Sequence, residues 1–227
     1  MSRRTLIAGL GGLGLGFGLA GPGSADEPPP ASAEQALEQL RTGNARFVDG
    51  KTRHAHESAD WRKQLVATQK PFATILGCSD SRVPVELVFD QGFGDLFVIR
   101  VAGNVMAPDV VGSVEYAVGH LGTPLVVVLG HQGCGAVTAA LEAMERPTKE
   151  LPAVEALVNL IKPGLPAPLP PGKPEERLRA AVEANVRWSL KQLVKVPEAK
   201  KLIDAKKGIL VGAVYELSTG KVRLLDR

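Results

Sequence analysis

Apolar residues recur along this chain in two rhythms. Short, nearly unbroken runs at 73–76, 95–101, 125–129 and 209–217 have the length and β-branched content of strands covered on both faces. Between them, apolar residues return every three or four positions, as in amphipathic helices. Ser32 with Gln35 fits a capping box that opens a first helix carrying Ala36, Leu37 and Leu40 on one face, and Gly43-Asn44 is the expected stop. Further helices are expected over about 59–68, 84–90, 110–121, 133–144, 154–161 and 175–196. The last of these spaces Leu178, Val182, Val186, Leu190 and Leu193 along one face. Six prolines between 163 and 174 favour an extended spacer. Ser218-Thr219-Gly220-Lys221 turns the final strand back into residues 222–225. Strands alternating with helices define an α/β chain. Its expected fold is a parallel central β-sheet, with strands at 72–77, 95–101, 125–130 and 209–217, flanked by helices and ending in a C-terminal edge strand.

Composition adds little to that outline, and charge removes one class of partner. At 227 residues with 44% hydrophobic content, the chain can bury one sizeable core, and no repeat or second domain is visible. The formal net charge is +3, and setting aside residues 1–25 with Arg3 and Arg4 leaves 25 basic against 24 acidic residues. No basic patch calls for nucleic acid. Residues 1–25 read as a leader: Ser2-Arg3-Arg4 opens it, a glycine-rich apolar run follows, and Gly23-Ser24-Ala25 is a small-residue cleavage signal. The paired arginines resemble a twin-arginine signal, so a periplasmic or otherwise exported protein is expected, with no stable membrane partner after cleavage. An uncleaved anchor is the competing reading, weakened by a stretch too short and glycine-rich to span a bilayer. Residues 26–31, with Pro28-Pro29-Pro30, then form a linker to one domain over 32–227.

Candidate chemistry lies just past two of the strands. Cys78-Ser79-Asp80-Ser81-Arg82 follows the first, and His131-Gln132-Gly133-Cys134 follows the third. Ligands of open α/β sheets bind outside the carboxyl ends of strands. Zinc favours thiolate and imidazole, and its catalytic sites use three protein ligands, so Cys78, His131 and Cys134 form a candidate zinc site. Cys134 also stands near a helix N-terminus, which lowers a thiol's pKa. A disulfide between the two cysteines is the alternative for an exported chain, but it leaves His131, Asp80 and Arg82 unexplained. Arg100, inside an apolar strand, needs either an acidic partner or a substrate. His54 and His56 form a His-x-His best read as two solvated side chains, and His120 as a surface or capping residue.

Cys78-x-Asp80-x-Arg82 followed by His131-x-x-Cys134-Gly135 resembles the β-class carbonic anhydrases. Gln69-x-Pro71, Phe97, Arg100, Ala102-Gly103-Asn104 and Glu115-Tyr116-Ala117 extend the likeness, which is strong over about residues 32–145. The resemblance implies a β-carbonic anhydrase-like fold, one zinc ion (Zn2+) per subunit, and carbon dioxide and bicarbonate as substrate and product. It also implies a homodimer or higher assembly, in which the first helix packs across a partner subunit. Gln69, Phe97, Ala102 and Tyr116 match positions around the substrate pocket, Gln69 often from across the subunit boundary. Arg82 would hold the Asp80 carboxylate, which accepts a hydrogen bond from the attacking solvent oxygen and aims it at carbon dioxide. In some members the aspartate instead becomes a fourth metal ligand, so Asp80 is a candidate for both roles. Hydrolases of carbon disulfide or carbonyl sulfide use the same scaffold and ligands. A non-catalytic zinc protein is a further alternative, one that would not need Asp80, Arg82 or Gln69.

Overall fold

A computed structural model of the chain describes residues 29–146 and 149–226. The leader and residues 26–28 of the linker lie outside the described residues. The described helices are α1 (Ala33–Val48), α2 (Ala59–Gln64), α3 (Val85–Val88), α4 (Pro108–Gly119), α5 (Gly135–Glu145), α6 (Pro152–Ile161), α7 (Pro174–Leu193) and α8 (Pro197–Asp204). The strands are β1 (Ala73–Gly77), β2 (Leu96–Arg100), β3 (Leu125–His131), β4 (Ile209–Tyr215) and β5 (Val222–Leu224). They form one sheet in the order β2-β1-β3-β4-β5. The first four run parallel, and β5 closes the edge antiparallel to β4. This is the α/β architecture that the two apolar rhythms predict.

Alternation along the strands divides the core between the two faces of the sheet. Ile75, Leu125, Val127, Leu129 and Val211 face α1 and α3, where Ala36, Leu40, Val85 and Val88 meet them. Leu76, Val126, Val128 and Val214 face the other way, onto Val114 of α4, Val137 of α5, Ile161 of α6 and Val186 of α7. Both faces are covered, which is why β1 and β3 read as unbroken apolar runs: every residue in them is buried.

Four sequence-based expectations need correction. First, α1 does not stop at Gly43-Asn44 but continues to Val48. Those residues serve packing, not termination: a Cβ at Gly43 would stand 1.9 Å from Phe89 O. Asn44 donates to Val88 O and Gly220 O, both at 2.9 Å, and its Oδ1 accepts from Val222 N at 2.8 Å. Second, β2 is not covered on both faces but is an edge strand, with Leu96, Phe97 and Val98 half-buried. Third, the long helix ends at Leu193, and Pro197, tolerated in a first helical turn, starts the separate α8. Fourth, His56 is not solvated: its side chain is 13% exposed, its Nδ1 donates to Asp95 Oδ1 at 2.7 Å, and its ring stacks on Trp61 with centroids 4.0 Å apart. His54, by contrast, is exposed as expected.

Among the described residues, no helix is long and apolar enough to cross a membrane.

Candidate metal centre

The chain leaves β1 toward β2 on one side and later returns to β3 on the other, so strand order reverses between β1 and β3. Such a switch point is where open α/β sheets bind ligands. Gly77, the last residue of β1, pairs in register with Leu129, and β3 runs two residues further. The next residue, Cys78, therefore lies beside the end of β3, where His131 closes the strand. Cys134 follows after one turn as the N-cap residue of α5.

The ligand atoms of Cys78, His131 and Cys134 lie within 4.8 Å of one another, and all three residues are buried. Both cysteines are free thiols, so the disulfide alternative fails. His131 Nδ1 is 2.9 Å from Gln132 O. A carbonyl only accepts, so Nδ1 carries the proton and Nε2 presents its lone pair. That Nε2 is buried and has no hydrogen-bond partner, and the two thiols converge on it. An orphaned basic nitrogen beside two soft sulfurs is the donor set that zinc takes.

The two thiols are electrostatically unequal. Cys78 is pushed down to about 4, first by a hydrogen bond from the Cys134 thiol and, against the opposing effect of burial, also by His131 and the Gly103 and Asp80 backbone N–H groups. Cys134 is pushed far up, by donating that same hydrogen bond, by burial and by the charge on Cys78. The physical content is one proton shared by two sulfurs, since a second negative charge in this space needs a cation beside it.

Asp80 does not join the trio. Its Oδ1 accepts from Arg82 N at 3.0 Å and Arg82 Nε at 2.9 Å, and its Oδ2 accepts from Arg82 Nη2 at 2.8 Å. This fork holds the carboxyl well below the usual carboxylate range, the side-chain hydrogen bonds from Arg82 being the largest cause. Oδ2 remains 3.8 Å from His131 Nε2, at the edge of the donor cluster. Arg82 Nη2 also donates to Gly133 O at 3.2 Å, tying the two loops together.

Arg100 takes a part that neither sequence reading foresaw. It is exposed, at the end of the edge strand, and it donates to Cys78 O at 3.0 Å and Asp80 O at 2.7 Å. It thus pins the backbone that presents a ligand and the carboxylate together. Ala102 opens a short 3-10 turn over Ala102–Asn104, and the next residue, Gly103, donates its N–H to Cys78 Sγ at 3.3 Å. Phe97 is half-buried on β2, with its ring 6.1 Å from that of Tyr116. Tyr116 is 46% exposed and also lies against His120, whose exposed position at the end of α4 is as expected. Gln69 is exposed in the loop before β1. Among the described residues, no hydrogen bond joins Gln69 or Tyr116 to Cys78, Asp80, His131 or Cys134.

Sheet order, switch point and a buried two-sulfur, one-nitrogen donor set define an α/β protein with a candidate metal centre and an Asp80–Arg82 ion pair beside it. The family model for carbonic anhydrase matches residues 73–222. Carbonic anhydrase 2 of Mycobacterium tuberculosis is 48% identical over 137 residues, which span 60% of this chain and 66% of that protein, just under two thirds of its length. The carbonic anhydrase of Mycolicibacterium smegmatis is 38% identical over 196 residues, 86% of this chain and 95% of that one. The solved structure of the β-carbonic anhydrase CcaA superposes with a TM-score of 0.64 at 28% identity, covering 84% of this chain and 95% of that one. The chain belongs to the carbonic anhydrase family, in its β class.

Proposed function

We propose that this protein catalyses the reversible hydration of carbon dioxide to bicarbonate and a proton, with one zinc ion per subunit held by Cys78, His131 and Cys134. The observation that carries the reading is the placement of Asp80: clamped by Arg82, kept ionised, and 3.8 Å from the unpartnered His131 Nε2. Zinc, when bound, is a Lewis acid that makes water nucleophilic near neutral pH. The chain's own residues supply orientation. Asp80 accepts a hydrogen bond from the attacking water, which turns the oxygen's free lone pair toward carbon. Arg82 occupies both Asp80 oxygens from one side and so keeps the carboxylate from swinging into the donor cluster as a fourth ligand. Arg100 fixes the backbone beneath them.

Phe97, Ala102 and Tyr116 are proposed to line the substrate pocket, with Gln69 reaching it from a second copy. The exposure of Gln69 supports a contribution across a subunit boundary, as do the half-buried edge strand β2 and the exposed Leu87 and Phe93. A homodimer or larger assembly follows. Export rests on Ser2-Arg3-Arg4 and Gly23-Ser24-Ala25, outside the described residues; N-terminal sequencing of protein recovered from outside the cytoplasm should begin at Asp26.

The test is Asp80→Asn. Amide replaces carboxylate at constant shape, so stopped-flow carbon dioxide hydration should fall by about two orders of magnitude, with metal content and circular dichroism unchanged. An undiminished rate would remove Asp80 from the chemistry. Sulfide release from carbon disulfide by a wild-type protein that leaves carbon dioxide unhydrated would replace the substrate.

A further inference from the structure

We propose that Asn185 and Ser189 of α7 are positioning residues for the Cys78 thiolate, acting through the Gly103-Asn104 turn; the inference rests on the zinc reading above. The inward face of α7 is otherwise apolar, with Ala181, Val182, Val186 and Leu193 buried. Asn185 and Ser189 interrupt it at 1% and 0% exposure. A buried amide or hydroxyl without a partner is costly in a protein core, so what these two groups hold matters. Asn185 Nδ2 donates to Gly103 O at 2.8 Å, and Ser189 Oγ donates to Asn104 O at 3.0 Å.

Residues four apart on a helix stack one turn above the other. Asn185 and Ser189 therefore take two consecutive carbonyls of the same turn. That turn needs holding: Gly103 and Asn104 both have positive φ, 69° and 44°, a region that a residue with a side chain enters at a cost. Its carbonyls are committed to α7, and its Gly103 N–H is committed to Cys78 Sγ at 3.3 Å. The arrangement even leaves Asn185 Oδ1 and Asn104 Nδ2 buried without a hydrogen bond, which a leucine at 185 would avoid in part. Polar groups kept at such a cost inside a core point to a demand made by a site and not by stability.

The demand follows from sulfur chemistry. An N–H aimed at a thiolate stabilises the anion and withdraws electron density from it, which tunes a metal–sulfur bond as other outer hydrogen bonds tune metal ligands. Because α7 also packs Val182 and Val186 against Gly130, next to His131, it backs the end of β3 as well as the Gly103-Asn104 turn.

The experiment replaces the metal with cobalt(II) and follows the thiolate-to-cobalt charge-transfer band together with cobalt affinity, measured by chelator competition at neutral pH. Asn185→Leu and Ser189→Ala should move the band to longer wavelength and weaken cobalt binding by about tenfold or more, while Ser189→Thr, which keeps the hydroxyl, should stay near wild type. Should Asn185→Leu fail to fold, Ser189→Ala, which removes a single oxygen, decides the question. Folded variants with an unmoved band and unchanged affinity, whatever their melting temperature, would overturn the inference and leave the zinc reading standing. A wild-type protein with no thiolate-to-cobalt band would overturn both.

Discussion

Asp80 is an anion at every pH a cell meets, because the Arg82 fork drives its carboxyl well below the usual range. Removing the guanidinium in Arg82→Gln lets the carboxyl rise toward its free value of about 3.9, which is still far from neutrality. Between about pH 6 and 9 the charge on Asp80 is thus the same in both proteins, and only its aim differs. Hydration by Arg82→Gln should fall by roughly 10²-fold, the scale of a misplaced group, at a constant factor across that range. A shifted midpoint in the pH–rate profile would contradict this. The stability sign is that of a depressed acid: the contribution is fully present above about pH 4 and lost only as the medium falls through the lowered folded value. The ligand trio is legible in sequence because Cys and His at strand ends are informative by type alone. Arg100 and His56 are not. Each is defined by what lies across space, Cys78 O and Asp80 O for one and Asp95 for the other, and an apolar or polar neighbourhood in sequence says nothing of that.

Among the elements, β3 and α7 set the site's tolerance. A Cβ at Gly130 would stand 2.6 Å from Val186 Cγ2 and 3.2 Å from Val182 Cγ1, and valine side chains on a packed helix have nowhere to go. Gly130→Ala should therefore push α7 from the sheet and cost about 1–3 kcal/mol, read as a lower urea midpoint. An unchanged midpoint would mean that the helix yields freely. Periodicity found α7 but ran it into Val194 and Val196, apolar residues that continue the rhythm after the backbone has left it; Pro197 was the available signal for a new start. The early stop assigned to α1 has the opposite cause. Gly43-Asn44 carries the composition of a helix end, yet here the glycine admits the backbone at Phe89 and the asparagine serves three distant groups.

At the scale of the molecule, strand order decides what is inside. A run such as 95–101 looks central because it is apolar, but crossovers place β2 at an edge, and no local pattern reports them. The three candidate metal donors come from β3 and from the loops after β1 and β3, so a bound ion would join parts of the chain far apart in sequence. At a free zinc concentration 100 times the Kd, binding to the folded state alone adds about 2.7 kcal/mol. Stripping the metal with a chelator should lower Tm by about 5–10 °C for a domain of this size, and re-addition of zinc should restore it; an unmoved Tm would argue that no metal is held.

Asn44 carries a consequence for biosynthesis. Two of its three bonds reach residues 220 and 222, so the first helix gains its full set of anchors only once the segment carrying β5 has been made. A nascent chain still lacking that hairpin must leave a buried amide half unanswered, and a protein truncated after Glu216 should be nicked by protease within α1 while the intact one resists. Helix α1 is thereby completed by the β4–β5 hairpin, 176 to 178 residues further along the chain.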